Sequence, residues 1–362
     1  MIKKGLVLFF IVLILFSGCT EKDIENNVIE NVIKKQLQSI EDKDMKNYLT
    51  TIDKTKPEYV AERKSWFRDI VFNNITTLDM EIIEILKTDE NFVEAKIKQE
   101  YSYNNKEYSI VNSIKYVKRG NDWVDSDLIF SSISSDNFII YYPKGEKEKA
   151  EIALRGAQRA YKEVYEKTGL IPEGKTVIKL YEDKERLRQS VKLSFPWRFS
   201  GWYEYPESIK CIIYNSKDKY FDVISHELVH KVTIKESNNN LPYWFAEGLA
   251  VYYTELYNVD IFKMNNTLDI NKLEKLNLEK MEDNNLIRSY YTSSGLILNF
   301  IADKYGEDKI VELVKSLGEF PYVEGTNVEV DKVSIERFHK VIPKVLGITV
   351  KKLNEEWNNY EK

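Results

Sequence analysis

Only three histidines occur in this 362-residue chain, and two of them, His226 and His230, stand four positions apart with Glu227 between them. On an α-helix, residues i and i+4 lie on one face, so both imidazoles can reach a single ion. The stretch therefore predicts a helix with one chemical face. Its apolar residues agree, because Phe221, Ile224, Leu228 and Val232 fall on the opposite face, where they would pack into a core. Glu227 lies roughly 100° round the helix from His226, by the 3.6-residue turn. That puts it beside the metal face without making it a ligand, where a general base belongs. Neutral imidazole suits zinc. The competing reading, a helix that merely carries two hydrogen-bonded histidines, requires a His-poor chain to meet this spacing by chance.

Catalytic tetrahedral zinc takes three protein ligands and keeps one position open, so a third donor is expected nearby. After His230 the helix runs out through Lys235, Ser237 to Asn240 make a loop, and Pro242 opens a new helix at a position proline tolerates. Glu247 is one turn into that helix, where its carboxylate can face back to the two histidines across a helix pair. Gly248 follows it in mid-helix, at a cost of about 1 kcal/mol against Ala. Close approach of a neighbouring helix at Gly248 and Ala250 would account for that choice. His339 lies in Ile335 to Leu346, a plain amphipathic pattern, and reads as structural.

His226-Glu-Leu-Val-His230 followed by Leu241-Pro-Tyr-Trp-Phe-Ala-Glu-Gly-Leu-Ala-Val-Tyr252 resembles the peptidase MA-like branch of the gluzincins. The resemblance implies one zinc per chain, with His226, His230 and Glu247 as ligands, Glu227 as general base, and a peptide or protein as substrate. It excludes the metzincin pattern, because Thr233 and Glu236 stand where that pattern needs Gly and a third His. It also shows a departure: thermolysin-like members carry Asp four residues after the ligand Glu, and Val251 stands here. Downstream, Tyr291 to Gly306 is similar to the aminopeptidase-type segment in which a Tyr precedes a helix ending in Tyr-Gly. That likeness implies that Tyr291, or Tyr290 by a one-residue slip, donates a hydrogen bond to the tetrahedral intermediate. In gluzincins an edge strand before the zinc helix pairs with extended substrate. Gly201 to Tyr205 is the candidate, and an internal hairpin packing its aromatics is the alternative. An inactive zinc-containing envelope protein serving as a binding module or scaffold is the rival to the enzyme reading, and the intact Glu227 argues against it.

The start of the chain predicts a destination. Lys3 and Lys4 precede a continuously apolar run, Leu6 to Phe16, too short to span a bilayer comfortably. The ending Phe16-Ser-Gly-Cys19 resembles the bacterial lipobox. Residues 1–18 are thus expected to be a removed signal peptide and Cys19 the lipidated first residue. The protein would then be membrane-anchored on the extracytoplasmic face through acyl chains. Cleavage would take the net charge from −5 to −7. The second cysteine, Cys211, then has no partner, and a buried place in a strand is expected for it.

Hydrophobic residues make up 43% of the chain and charged residues 31%, which suits a globular protein. With 53 basic against 58 acidic residues and no basic block, nothing points to nucleic acid. The expected class is α+β in two units. Residues 19–130 read as helices (Ile24 to Ile40, Glu62 to Phe72) followed by a strand meander. Val93, Ala95, Ile97 and Tyr101 alternate with charged residues, and turns are expected at Asn104-Asn105 and Arg119-Gly120-Asn121. Such a curved sheet folded over helices resembles the nuclear-transport-factor-like cone domains, which act as spacers or binding modules. The polar run Ser131 to Asp136 marks the boundary. Residues 137–362 would hold a small mixed sheet, with strands at 137–142, 175–181, 201–205 and 209–214. They would also hold a helix from Glu146 to Thr168 capped by Gly169, and a mostly helical C-terminal half.

Overall fold

A computed structural model describes residues 21–73, 75–254 and 267–360. The proposed signal peptide and Cys19 lie outside the described residues. The class is α+β, with two small sheets and a helical C-terminal half.

The first unit opens with α1 (Glu21–Glu41), the short α2 (Met45–Tyr48) and α3 (Pro57–Phe72), which has Pro57 in its first turn. A four-stranded antiparallel meander follows: β1 (Thr76–Asp89), β2 (Phe92–Tyr103), β3 (Lys106–Arg119) and β4 (Asp122–Leu128). The alternation in β2 does what its pattern requires, because Val93, Ala95, Ile97 and Tyr101 are all buried. The first three pack with Ile29, Val32 and Ile33 of α1. Asn104 and Asn105 both take positive φ, 49° and 59°, and turn β2 into β3. Most residues of β1 are exposed, and only Leu78, Met80, Ile82 and Ile85 turn inward to pack on buried apolar clusters. It belongs to the sheet through its backbone ladder with β2, and three register shifts along that ladder mark bulges, which bend a sheet.

The second sheet has the order β5-β6-β7-β9-β8, built from β5 (Phe130–Ser134), β6 (Phe138–Pro143), β7 (Thr176–Tyr181), β8 (Gly201–Trp202) and β9 (Ile209–Ile212). β6, β7 and β9 are parallel, while β5 and β8 lie antiparallel at the two edges. The Ser-rich run around 131 is therefore strand rather than bare linker. Ser131 pairs with Tyr142 and Ile133 with Ile140, and an edge strand tolerates polar side chains because one side of it faces no neighbour. The expected strand at 201–205 is regular for two residues only. Cys211 is fully buried in β9, as expected.

α4 (Lys147–Thr168) ends at Gly169, whose φ of 69° is the left-handed cap. It packs along α6 (Lys217–Glu236) so closely that a Cβ on Gly156 would stand 2.9 Å from the Tyr220 Cβ. Between the strands lies the short α5 (Lys184–Val191). After α6 come α7 (Tyr243–Thr254), α8 (Ile270–Leu273), α9 (Asn284–Tyr305), α10 (Glu307–Gly318), α11 (Asn327–Leu346) and α12 (Val350–Asn358). One continuous core runs from β6 and α4 through α6, α7 and α9 to Trp357 on α12.

The two units are joined through α3. Glu62 on α3 contacts Lys179 on β7 and Ser208 just before β9, and Lys179 also pairs with Asp127 at the end of β4. All these side chains are buried. Burial by itself would strip the proton from Lys179, but Asp127 and Glu62 hold its ammonium charged and raise its pKa. The Trp66 indole donates to the Gln189 carbonyl at 3.1 Å, and Asp69 accepts from the Ser194 N–H at 3.0 Å. A buried charge that loses its partner is costly, so α3 is held firmly against the second unit.

Candidate metal centre and cleft

α6 and α7 place the chemical groups. Ser216 caps α6, its hydroxyl accepting from the Lys219 N–H, and Ile224, Leu228 and Val232 anchor the buried face. The opposite face carries His226 and His230. α7 crosses it with Glu247 turned toward both. Among the described residues, His226, His230 and Glu247 form the one cluster of three His, Cys, Asp or Glu donors close enough to share an ion.

The donor geometry fits zinc. His226 Nε2 lies 3.2 Å from Glu247 Oε2 and 3.2 Å from His230 Nε2, and His230 Nε2 lies 3.3 Å from Glu247 Oε2. Ligands at roughly 2.0–2.2 Å from a tetrahedral zinc stand roughly 3.3–3.5 Å apart, so this triangle is one face of such a site. Two imidazoles and a carboxylate are a catalytic rather than a structural donor set. Burial would raise the Glu247 pKa, but the charge of His230 and hydrogen bonds from both histidines outweigh it and hold the carboxyl at about 2, ready as an anionic ligand. Neither Nδ1 atom has a hydrogen-bond partner among the described residues, so packing orients the rings. The two stand edge to face, with centroids 4.8 Å apart.

α7 is fixed by α9. A Cβ on Gly248 would come within 2.6 Å of Leu298 and 2.8 Å of the Ser294 carbonyl, and one on Gly295 would come within 2.4 Å of Val251. The two glycines interlock the helices, which explains Gly248. Val251 packs on Gly295, so where thermolysin-like sequences carry a carboxylate this chain has a packing residue.

Glu227 is buried and lies against the edge strand: a Cβ on Gly201 would stand 2.6 Å from Glu227 Oε1. Burial pushes the Glu227 carboxyl up to about 8, with Glu247 adding to the rise and His226 opposing it. β8, the last strand in the sheet order, thus borders the chemical face. Tyr290 and Tyr291 both lie inside α9 rather than ahead of a helix. Tyr290 is buried in the core, while Tyr291 is half-buried with its ring centroid 6.3 Å from that of His226. Of the two, Tyr291 is the one whose ring stands beside His226. His339 is on the surface of α11 with Glu274, 2.9 Å away, far from this chemistry in role.

Three parts of the cleft had no local signal in the sequence. Asp331 on α11 accepts from the Tyr243 N–H at 2.7 Å and so caps α7, and burial pushes its carboxyl up to about 6. Tyr322 and Val323, in the segment between α10 and α11, line the cleft that holds His230 and Glu247. So does α3 of the first unit, through Lys64 and Arg68.

A family model described as the Peptidase MA superfamily matches residues 156–361. No curated protein matches the chain.

Proposed function

Because the chain belongs to the Peptidase MA superfamily, we propose that it is a zinc-dependent peptidase, with His226, His230 and Glu247 holding one metal ion and Glu227 acting as general base. The observation that carries this reading is the 3.2–3.3 Å triangle of ligand atoms with a buried, non-ligating carboxyl next in sequence to His226. Bound there, zinc would lower the pKa of a water and polarise the substrate carbonyl. Glu227 takes the proton from the attacking water and passes it to the leaving amine. Tyr291 donates its hydroxyl to the developing oxyanion. The β8 edge aligns the peptide backbone, and the buried surroundings of Glu227 keep bulk water from levelling its basicity. No covalent intermediate with the protein is required.

Residues 20–362, purified and reconstituted, should contain about one zinc per chain and cleave members of a peptide library detected by mass spectrometry. A chelator should abolish the cleavage and added zinc should restore it. Cleavage indifferent to chelation would refute the metal mechanism. A zinc-loaded chain that cleaves nothing would leave a binding or scaffold role.

We also propose anchoring at Cys19, supported by the apolar run and the Ser17-Gly18-Cys19 ending. Among the described residues no helix is long and apolar enough to cross a membrane. Cys19→Ser should move the protein out of the membrane fraction or leave the precursor uncleaved. Unchanged fractionation and unchanged precursor size would rule the anchor out.

A further inference from the structure

The wall of the cleft opposite the α6–α7 pair comes from the other unit. Lys64 and Arg68, one turn apart on α3, line the same cleft as His230 and Glu247. Both reach one carboxylate oxygen of Glu324, Arg68 at 2.8 Å. Glu324 belongs to the segment between α10 and α11, and the asparagine run that follows α6 pins that segment. The Asn238 amide donates to the Gly318 and Phe320 carbonyls at 3.2 Å each, that of Asn239 to Val323 at 2.8 Å, and that of Asn240 to Pro321 at 3.3 Å. Asn238 and Asn239 take positive φ to do so, 55° and 58°, a conformation asparagine tolerates better than most residues. The wall is therefore held from both sides, by the buried contacts of α3 and by these amides.

We infer that Lys64 and Arg68 form a subsite for a substrate carboxylate, which makes the N-terminal unit a determinant of specificity. The inference rests on the peptidase reading for what enters the cleft, though not for turnover. The charge arrangement supports it. Glu204 in the cleft is taken by Lys192 at 3.1 Å, and Asp331 by the Tyr243 N–H. Glu329 nearby caps α11, accepting from the Thr326 N–H and hydroxyl at 2.9 Å each. These acids are committed to partners of their own, whereas the two cations share one carboxylate that is about half exposed, 53%. An exposed ion pair contributes little net stability, so exchanging its partner is cheap. Glu324 then acts as a resident carboxylate that an incoming one displaces. An extended peptide lying along β8 sends alternate side chains to opposite sides, so one set faces this wall. The carboxylate could be an acidic side chain or a peptide C-terminus.

The test is direct binding, by fluorescence anisotropy, of labelled peptides to the zinc-loaded full chain carrying Glu227→Gln, which separates recognition from cleavage. Matched peptides carry Glu, Gln or Lys at one scanned position, each with a free or an amidated C-terminus. The Glu peptides should bind about fivefold or more tightly than the Lys peptides. A preference that survives amidation assigns a side chain, and one that amidation removes assigns the terminus. Lys64→Gln with Arg68→Gln should erase the preference, and Glu324→Gln, which removes the competitor, should strengthen it. Zinc content and circular dichroism check that the variants fold. If the double variant misfolds, the Glu324→Gln result decides alone. Equal binding of all peptides, no binding of any, or a preference that these substitutions leave unchanged overturns the inference. Charge-selective binding without turnover by the Glu227 parent would keep it and remove the peptidase reading, and turnover without charge selectivity would do the reverse.

Discussion

Glu227→Gln should lower kcat by at least the roughly 10²–10⁴-fold typical of losing a general base, with zinc content and folding unchanged. Gln reproduces the shape of Glu but cannot accept a proton. The side chain is outside the ligand triangle, so the ion should not depend on it. Its surroundings also favour survival of the fold: a buried carboxyl packed against Gly201 is replaced by a neutral group of the same size. The loss should fall on kcat rather than KM, because proton transfer belongs to the transition state. Elemental analysis and mass-spectrometric cleavage on the same preparations decide the matter. A Gln variant that cleaves as fast as the parent would show that the base is elsewhere.

The second large effect is expected at Glu247. Glu247→Ala removes the only carboxylate of the cluster and leaves two imidazoles, which hold zinc far less well than three donors do. Outer-shell substitutions at zinc sites already cost about 10–100-fold in affinity, and a direct ligand should cost more. Zinc content should drop well below that of the parent after dialysis, and cleavage should drop with it. A metal bound by all three side chains would also couple α6 to α7, so the zinc-dependent part of thermal stability should vanish in this variant. Full zinc retention would move the third ligand away from Glu247. Glu255, which lies outside the described residues, is then the next residue to replace.

The fold was legible wherever side-chain periodicity reports burial. β2 alternates because one of its faces meets α1, and α4, α6 and α11 carry apolar stripes that became buried faces. Elements that bury few side chains were not legible. β1 half-buries only Leu78, Met80, Ile82 and Ile85, an alternation interrupted by register shifts, and β5 is a polar edge strand, so both have weak side-chain patterns. Glycines behaved similarly: Gly248 signalled that something approaches closely, yet that the partner is α9, with Gly295 as its counterpart, required the packed helices.

In the site, the amino-acid sequence by itself determined the relative placement of His226, Glu227 and His230. That placement follows from helical geometry, in which spacing along the chain sets direction in space. It also marked Glu247 as a donor on the next helix. The tertiary structure alone decided the rest: that Tyr291 rather than Tyr290 stands beside His226, that Gly201 backs Glu227, and that Asp331 caps the helix that carries Glu247. It alone brought Lys64 and Arg68, more than 150 positions before the histidines, to the same cleft. No local pattern encodes such meetings. They follow from how α3 docks through Glu62, Lys179 and Asp127, a buried charge cluster whose members come from three separate elements and acquire their partners only when both units are folded.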